Sequence, residues 1–242
     1  MSLLKKIITY FEQQKINREI YDDIGNFNEV LLAKRLEIFE EKVTPKLAEI
    51  GLKNWNGKYT WFSDFNEQGI KHVVEYNLYK GFSGSFTYGN CFDFISTISN
   101  EKWINHKTDK STKILFFNRL EGSQKTLDRG SLIDPDRIST VNEEKFNSGL
   151  DKVLRTNLPK LKQWFSVNET IEQNIQSLIS LTKNPPYEIG QRIISFEYLL
   201  AFLYAHQNDL NEAENWIHKH FEKKLNDAPE MKMMILKRLR NM

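Results

Sequence analysis

The chain has 242 residues, a length that fits one large domain or two modest ones. Its 34 basic and 32 acidic residues give a formal net charge of +2, which excludes a strong overall field that would attract nucleic acid or an anionic membrane. A single cysteine excludes an internal disulfide, and the lack of a long apolar run or signal-peptide start predicts a cytoplasmic protein without membrane or nucleic-acid partners.

Two amphipathic helices are predicted ahead of any strand. The first covers roughly residues 3–20, and the second runs from Asn28 to Gly51, with apolar residues spaced by threes and fours. Asn28 is the expected N-cap, and Gly51 is the expected C-terminal stop. Pro45 is expected to bend or divide the second helix, because proline has no backbone N–H to donate.

Four strands are predicted next, and they indicate an antiparallel sheet. Residues 58–65, 70–80 and 113–120 have the alternating, β-branched and aromatic content of strands. In residues 81–96, GFSGSFTYGNCFDFIS, large rings alternate with small side chains. This pattern predicts a strand with one apolar side and one side suited to close approach of another backbone or to solvent. Short connections favour antiparallel pairing with one covered face.

The glycines of residues 81–96 also suggest a phosphate-binding loop as an alternative. Such a loop needs a lysine and then a serine or threonine after its last glycine, whereas Gly89 is followed by Asn90 and Cys91. The dinucleotide pattern G-x-G-x-x-G is missing, and no amphipathic helix follows at once. The glycines therefore predict turns and strand packing, and no cofactor is expected.

The rest of the chain is predicted to be a loop followed by helices. Residues 121–142 are rich in turn formers, and the Asp-Pro-Asp at 134–136 favours a turn over a calcium site. From Glu143 the apolar spacing is helical, with a break at residues 184–186. The predicted class is α+β, with about four antiparallel strands flanked by N-terminal helices and an all-α C-terminal region. Residues 1–142 and 143–242 are expected to form either two domains or one packed unit.

Two further patterns occur near the C-terminus. YLLAFLYAHQNDLNEAENWIHKHF, residues 198–221, resembles one tetratricopeptide-type hairpin, with a turn at 207–209, a second helix from about Leu210 and Ala213 in the seam. One such unit does not bury a continuous core, so a helix pair docked on the rest of the chain is predicted. The locally basic stretch at residues 231–242 predicts a last amphipathic helix whose cations lie near its C-terminus.

His72 and Cys91 are the candidates for chemistry. His72 falls on the apolar side of its strand, which favours a hydrogen-bonded core histidine over a general base. Cys91 is expected to be a small buried thiol, because a nucleophile needs a nearby histidine and a stabilised thiolate. The histidine spacings do not match a zinc-binding helix. No catalytic residue and no metal are therefore predicted, although an enzyme with an unrecognised site stays open if His72, Cys91 and a carboxylate converge.

A resemblance covers residues 39–95. A helix ending in LAEIGLK is followed by the strand NGKYTWF, the long strand IKHVVEYNLYK and then SFTYGNCFDF. This order resembles a bacterial domain family of unknown function whose members look like immunity proteins of polymorphic toxin systems. Leu52 stands where that family usually has phenylalanine, and the helical second half lies outside the resemblance. The resemblance implies a protein that neutralises a cognate toxin by direct binding and has no reaction chemistry of its own.

Partner-binding residues are then expected on the exposed face of the sheet. The candidates are Asp64, Glu75, Asn77 and Tyr79. Charged and aromatic side chains of this kind supply the anchors of protein interfaces. The sequence therefore predicts a non-catalytic, protein-binding immunity protein. The alternatives are a helical adaptor that holds a peptide or partner protein, and an enzyme with an unrecognised site.

Overall fold

The computed structural model describes residues 27–79, 82–100, 102–120, 136–183, 194–222 and 229–242. Within these ranges, short helical segments precede an antiparallel sheet, and five helices follow it. This is the α+β class that the sequence predicts. The helix predicted over residues 3–20, the break at 184–186 and most of the Asp-Pro-Asp turn lie outside the described residues.

The first described helical segment is divided, as Pro45 predicts. It consists of helix α1 (Leu32–Ile38), a π-helical turn (Phe39–Val43) and helix α2 (Thr44–Ala48). The Phe39 carbonyl accepts from the backbone N–H of Thr44, five residues on, and from the Thr44 hydroxyl at 3.1 Å. Since Pro45 has no N–H to continue the α-helical pattern, a wider turn fits at this position.

The prediction of Asn28 as N-cap is wrong. The N–H of Asn28 donates to the carbonyl of Val141 at 2.9 Å, so this residue runs alongside a distant segment, and α1 begins only at Leu32. A local pattern does not reveal a partner that is so far away in sequence. Gly51 ends the helical segment as predicted, with a φ of 96° that favours glycine.

Two long strands form the centre of the sheet. In chain order the strands are β1 (Asn54–Trp55), β2 (Thr60–Phe62), β3 (Ile70–Tyr79), β4 (Ser83–Phe92), β5 (Thr97–Ser99), β6 (Lys102–Ile104), β7 (Phe116–Arg119) and β8 (Ile138–Ser139). β3 and β4 pair antiparallel along their whole length. The order is β1-β2-β3-β4-β7, with β8 also on β4, while β5 and β6 form a separate hairpin.

The loop prediction for residues 121–142 needs one correction. Ile138–Ser139 is a strand, with Ile138 opposite Gly84 and Ser139 opposite Ser83. A two-residue strand shows no alternation over a useful length, so its pairing depends on the side of β4 that is available to it. Residues 121–135 lie outside the described part of the chain.

Alternation along β3 and β4 gives the sheet two different faces. The aromatic face is defined by Trp61, Val74, Tyr76, Phe86 and Tyr88. The second face is defined by Thr60, Val73, Glu75, Asn77 and Cys91. The predicted close backbone approach occurs at Gly89, where an added Cβ would overlap the Phe116 carbonyl oxygen.

The helices after the sheet are α3 (Glu143–Ser166), α4 (Ile171–Lys183), α5 (Phe196–His206), α6 (Leu210–Glu222) and α7 (Pro229–Leu239). Asn142 caps α3, because its side chain accepts from the Lys145 N–H at 2.9 Å. α3 packs Phe146 and Phe165 into the core on the aromatic face. Helices α4 to α7 form a second core that includes Phe92 of the sheet. No helix in the described ranges is long and apolar enough to cross a membrane.

The α5–α6 pair has the predicted arrangement of its helices. Its turn includes Asn208, with a φ of 64°, and α6 begins at Leu210. Ala213 has no exposed surface and lies in the core shared by α4 to α7. The tetratricopeptide resemblance stays a prediction, as does the division of the chain at residue 142.

A buried amide network joins the sheet to the turn between α3 and α4. The Asn90 side-chain amide donates to the Asn168 carbonyl and to Asn174 Oδ1, each at 2.8 Å. Asn174 Nδ2 in turn donates to the carbonyls of Asn168, at 2.8 Å, and Thr170, at 2.7 Å. All three asparagines are at least 98% buried. The network therefore fixes helical residues directly on the central strand.

Candidate functional site

Three of the four predicted partner-binding residues lie together on the second face. Glu75, Asn77 and Tyr79 alternate along β3, so their side chains share one side of the strand. Asp64 is exposed and accepts from Asn54 Nδ2 at 3.0 Å. It follows Ser63, which pairs with the Ile70 end of β3, whereas Tyr79 lies at the opposite end. The structure thus brings together three residues of the set and separates the fourth.

Asn77 and Tyr79 are held in place by neighbours. Asn77 Nδ2 donates to Thr87 Oγ1 on β4 at 2.8 Å. The guanidinium of Arg137 lies 5.4 Å from the centre of the Tyr79 ring, which is a cation–π distance. Both side chains are therefore ordered before any partner arrives.

Exposed apolar side chains occur at the same end of the β3–β4 hairpin as Tyr79, and one of them, Leu78, points to the aromatic face instead of the second face. Phe27, Leu78 and Phe82, here named the hairpin-end patch, are 49%, 41% and 44% exposed. The rings of Phe27 and Phe82 meet edge to face, with centroids 4.7 Å apart. Phe82 has a φ of 58°, in the left-handed region that a bulky side chain rarely occupies. An exposed ring on such a backbone is a feature that local stability does not explain.

A cavity of about 250 Å³ opens on the second face, between the sheet and the segment before β7. Its lining residues are Thr60, Val73, Glu75, Thr112, Lys113 and Ile114. Burial raises the pKa of Glu75, and the positive charge of Lys113 partly opposes this effect. Within the described part of the chain, no ion pair or side-chain hydrogen bond joins the two groups.

Lys71 fixes the wall of this cavity, and sequence reasoning missed its role. Its side chain is 2% exposed, and Nζ lies 2.6 Å from Asp109 Oδ1 and 3.4 Å from Thr112 Oγ1. The rings of Phe62 and Phe65 lie 4.7 Å and 4.3 Å from the same ammonium. The available signal was the alternation of β3, which places Lys71 on the side of Val73. Its partner Asp109 is too distant in sequence to be inferred.

The structure does not bring His72 and Cys91 together. His72 is opposite Asn90 and Cys91 is opposite Lys71, so the two side chains lie on different faces of the sheet. Cys91 is fully buried, with Sγ 3.8 Å from the His106 carbonyl oxygen, and burial raises the pKa of its thiol to about 11. The thiol therefore stays protonated near neutral pH, as a small buried side chain.

His72 is a half-buried residue on the aromatic face, and its ring stacks on Phe165, with centroids 4.4 Å apart. Burial lowers its pKa to about 4, so the ring is neutral at pH 7. The predicted hydrogen bond is missing at one nitrogen, since the buried Nε2 atom has no partner in the described chain. Stacking, rather than hydrogen bonding, is thus the main contact that holds this histidine.

His106 is buried, and it links β5 to the turn at Asp109–Ser111. Nδ1 lies 2.9 Å from the Ser111 carbonyl oxygen and must carry a hydrogen to donate to it. Nε2, 3.1 Å from Thr97 Oγ1, then accepts from that hydroxyl. Burial lowers the pKa of His106, which agrees with this neutral form. The ring therefore braces the segment that forms the outer wall of the cavity.

Comparison of the chain with protein-family models, curated proteins and solved structures gives no match. The resemblance of residues 39–95 to an immunity-protein-like family therefore stays a prediction. The geometry of the second face and of the hairpin-end patch is what defines the candidate site.

Proposed function

We propose that the protein is a non-catalytic binding protein that neutralises a cognate bacterial toxin by direct contact, as an immunity protein does. The observation that carries this proposal is the group formed by Asn77, Tyr79 and the hairpin-end patch. Polar and aromatic side chains held by neighbours occur there at the same end of the hairpin as exposed apolar ones, with Leu78 on the other face of the strand. Interfaces gain affinity from such anchors, because ordered side chains lose little entropy on binding.

Phe82 supports the same proposal through its backbone. A non-glycine residue in the left-handed region costs about 1 kcal/mol or more. Glycine at this position would remove that strain, yet the chain has a phenylalanine there with 44% of its surface exposed. Contact of the exposed ring with a partner would explain why phenylalanine occupies this strained position. Glu75 adds a negative charge on the same side of the hairpin as Asn77, which favours a partner with a cationic group nearby.

The experiment is a toxicity-rescue and co-purification test with the proteins encoded beside this one in its source genome. We expect one neighbour to be toxic alone, harmless when co-expressed and stably bound to this chain. Phe82→Gly is the informative variant, because it removes the ring and the backbone strain together. It should fold with a stability within about 1 kcal/mol of the wild type and lose rescue. Met233→Gly, at a 70% exposed position on α7, tests the loss of an exposed apolar side chain elsewhere.

Two results would contradict the proposal. If no neighbouring protein is toxic or binds this chain, the immunity function is wrong. If Phe82→Gly and Tyr79→Ala both bind the toxin as well as the wild type does, this surface is not the binding surface. Hydrogen-exchange protection on α4 to α7 in a complex would instead favour the adaptor alternative. The whole chain must be used, because those helices share a core with Phe92 of the sheet.

A further inference from the structure

We propose that the cavity on the second face binds a small zwitterionic ligand of the free α-amino acid class, at a site that shares Glu75 with the proposed partner surface but does not include Tyr79 or Phe82. Glu75 would receive the ligand's ammonium group, and Lys113 would receive its carboxylate. Both side chains line the same cavity, one from β3 and the other from the segment before β7. The proposal rests on this pair of opposite charges that share a space without closing on each other.

The unpaired charges are the first argument. Glu75 and Lys113 are both partly buried, and each loses hydration in the folded protein. Burial without a partner is unfavourable for a charged group, and the raised pKa of Glu75 reflects that cost. A ligand with one positive and one negative end would supply a charge-assisted hydrogen bond to each side chain. One molecule would thereby satisfy both groups.

The volume of the cavity and the chemistry of its lining limit which ligands fit. The volume of about 250 Å³ lies just below the roughly 300 Å³ at which pockets for drug-sized ligands begin, so the occupant is small. Thr60 offers a hydroxyl group, while Val73 and Ile114 offer an aliphatic surface. The Thr112 hydroxyl already accepts from Lys71 and donates to the Thr108 carbonyl. A phosphate compound would meet the repulsion of the Glu75 carboxylate. A polyamine would meet that of the Lys113 ammonium.

The cavity wall is already fixed in position. Thr112, Lys113 and Ile114 follow the turn that contains Asp109, and the buried Lys71 ammonium binds both Asp109 and Thr112. The His106 ring braces the same turn through Ser111. Groups held in this way need little rearrangement when a ligand enters, which favours binding. Lys113 can therefore act as a preformed contact opposite Glu75, beside which Thr60 lies on β2.

The test is calorimetric titration of the full chain at neutral pH and low salt with each of the twenty α-amino acids. We expect saturable binding of one or a few of them. For the tightest, the matching amine without the carboxylate and the N-acetyl derivative without the ammonium should each bind about tenfold more weakly or worse. Glu75→Gln and Lys113→Met should weaken binding of the intact amino acid to the same extent.

Two control variants change matching residues that are exposed and lie outside the cavity. Glu67→Gln and Lys53→Met should leave the affinity unchanged. Circular dichroism establishes that each variant is folded, and Glu75→Gln keeps the shape of the side chain. The inference is overturned if no amino acid binds saturably. It is also overturned if the affinity survives in both Glu75→Gln and Lys113→Met, or if the amine binds as well as the amino acid. Failure here is distinguishable from failure of toxin binding, since Lys113→Met leaves Tyr79 and Phe82 unchanged.

Discussion

His72 shows how a single buried side chain makes stability depend on pH. Its folded pKa of about 4 lies below the ordinary value of 6.5, because burial disfavours the charged ring. The unfolded chain therefore binds this proton more readily than the folded one between pH 6.5 and 4. Stability is fully retained above that window and falls as the pH drops through it, by roughly 3 kcal/mol in total.

Replacing the ring tests this consequence. His72→Phe keeps a planar ring to stack on Phe165 and removes the titration. We expect the variant to lose about 3 kcal/mol less than the wild type between pH 6.5 and 4, as measured by urea unfolding at each pH. His218→Phe, at an exposed position, should follow the wild-type curve. Equal acid sensitivity in His72→Phe and the wild type would contradict the burial effect.

Gly89 is a second residue at which local contacts predict whether a substitution stabilises or destabilises the fold. A Cβ at this position would overlap the Phe116 carbonyl oxygen, which belongs to the backbone and cannot swing aside. We expect Gly89→Ala to destabilise the fold by about 1–3 kcal/mol, the range for overpacking. Gly149→Ala in α3 is the matched comparison, because its added Cβ meets Ile138 at an ordinary 3.4 Å. That change should be neutral or stabilising, since alanine favours helix, and chemical denaturation distinguishes the two.

At the level of elements, the Lys71–Asp109 pair attaches the turn at Asp109–Ser111 to β3. Its two ends are unequal, because Lys71 is 2% exposed and Asp109 is 67% exposed. Losing Asp109 leaves a buried cation without its counter-charge, whereas losing Lys71 leaves a carboxylate that water can solvate.

The two single variants should therefore differ. Asp109→Ala is expected to cost about 3 kcal/mol, near the lower end for breaking a buried pair. Lys71→Met, which fills the same space with apolar atoms between Phe62 and Phe65, should change the stability by less than about 1 kcal/mol. Equal losses of the two variants in urea unfolding would contradict the expected asymmetry.

The strands and helices also show which structural features a local sequence pattern can predict. The long strands β3 and β4 were predictable, because ten residues of alternation outweigh local ambiguity. β8 was not predicted and Asn28 was assigned wrongly, since both depend on segments that meet only in the folded chain. For the candidate site, alternation sufficed to place Glu75, Asn77 and Tyr79 on one face. The cavity needed the contact of Lys71 with Asp109, which no local pattern contains.

At the scale of the whole molecule, the described helices after residue 142 pack onto the sheet, since each core contains residues of both. Asn90 is central to this packing, because it binds both Asn168 and Asn174 from near the C-terminal end of β4. Asn90→Ala would leave Asn174 Oδ1 buried without that donor, at a cost of about 1–3 kcal/mol. We expect the wild type to unfold in a single transition, with tryptophan fluorescence and far-ultraviolet circular dichroism coinciding.

The same variant provides the check on that expectation. Asn90→Ala should lower the midpoint of both signals together, whereas Asn215→Ala, at an exposed position of α6, should lower neither. Separate midpoints for the two signals in the wild type would instead indicate that sheet and helices unfold independently. That result would favour the division of the chain at residue 142.

The order of the strands has a further consequence for the behaviour of the protein at high concentration. Both ten-residue strands are internal, while the border strands of the described sheet are β1 and β8, with two residues each, and β7, with four. Unpaired backbone at a sheet border is a template on which other chains add and aggregate, and short border strands offer little of it. A cell could therefore accumulate this protein in quantity without its sheets joining one another edge to edge.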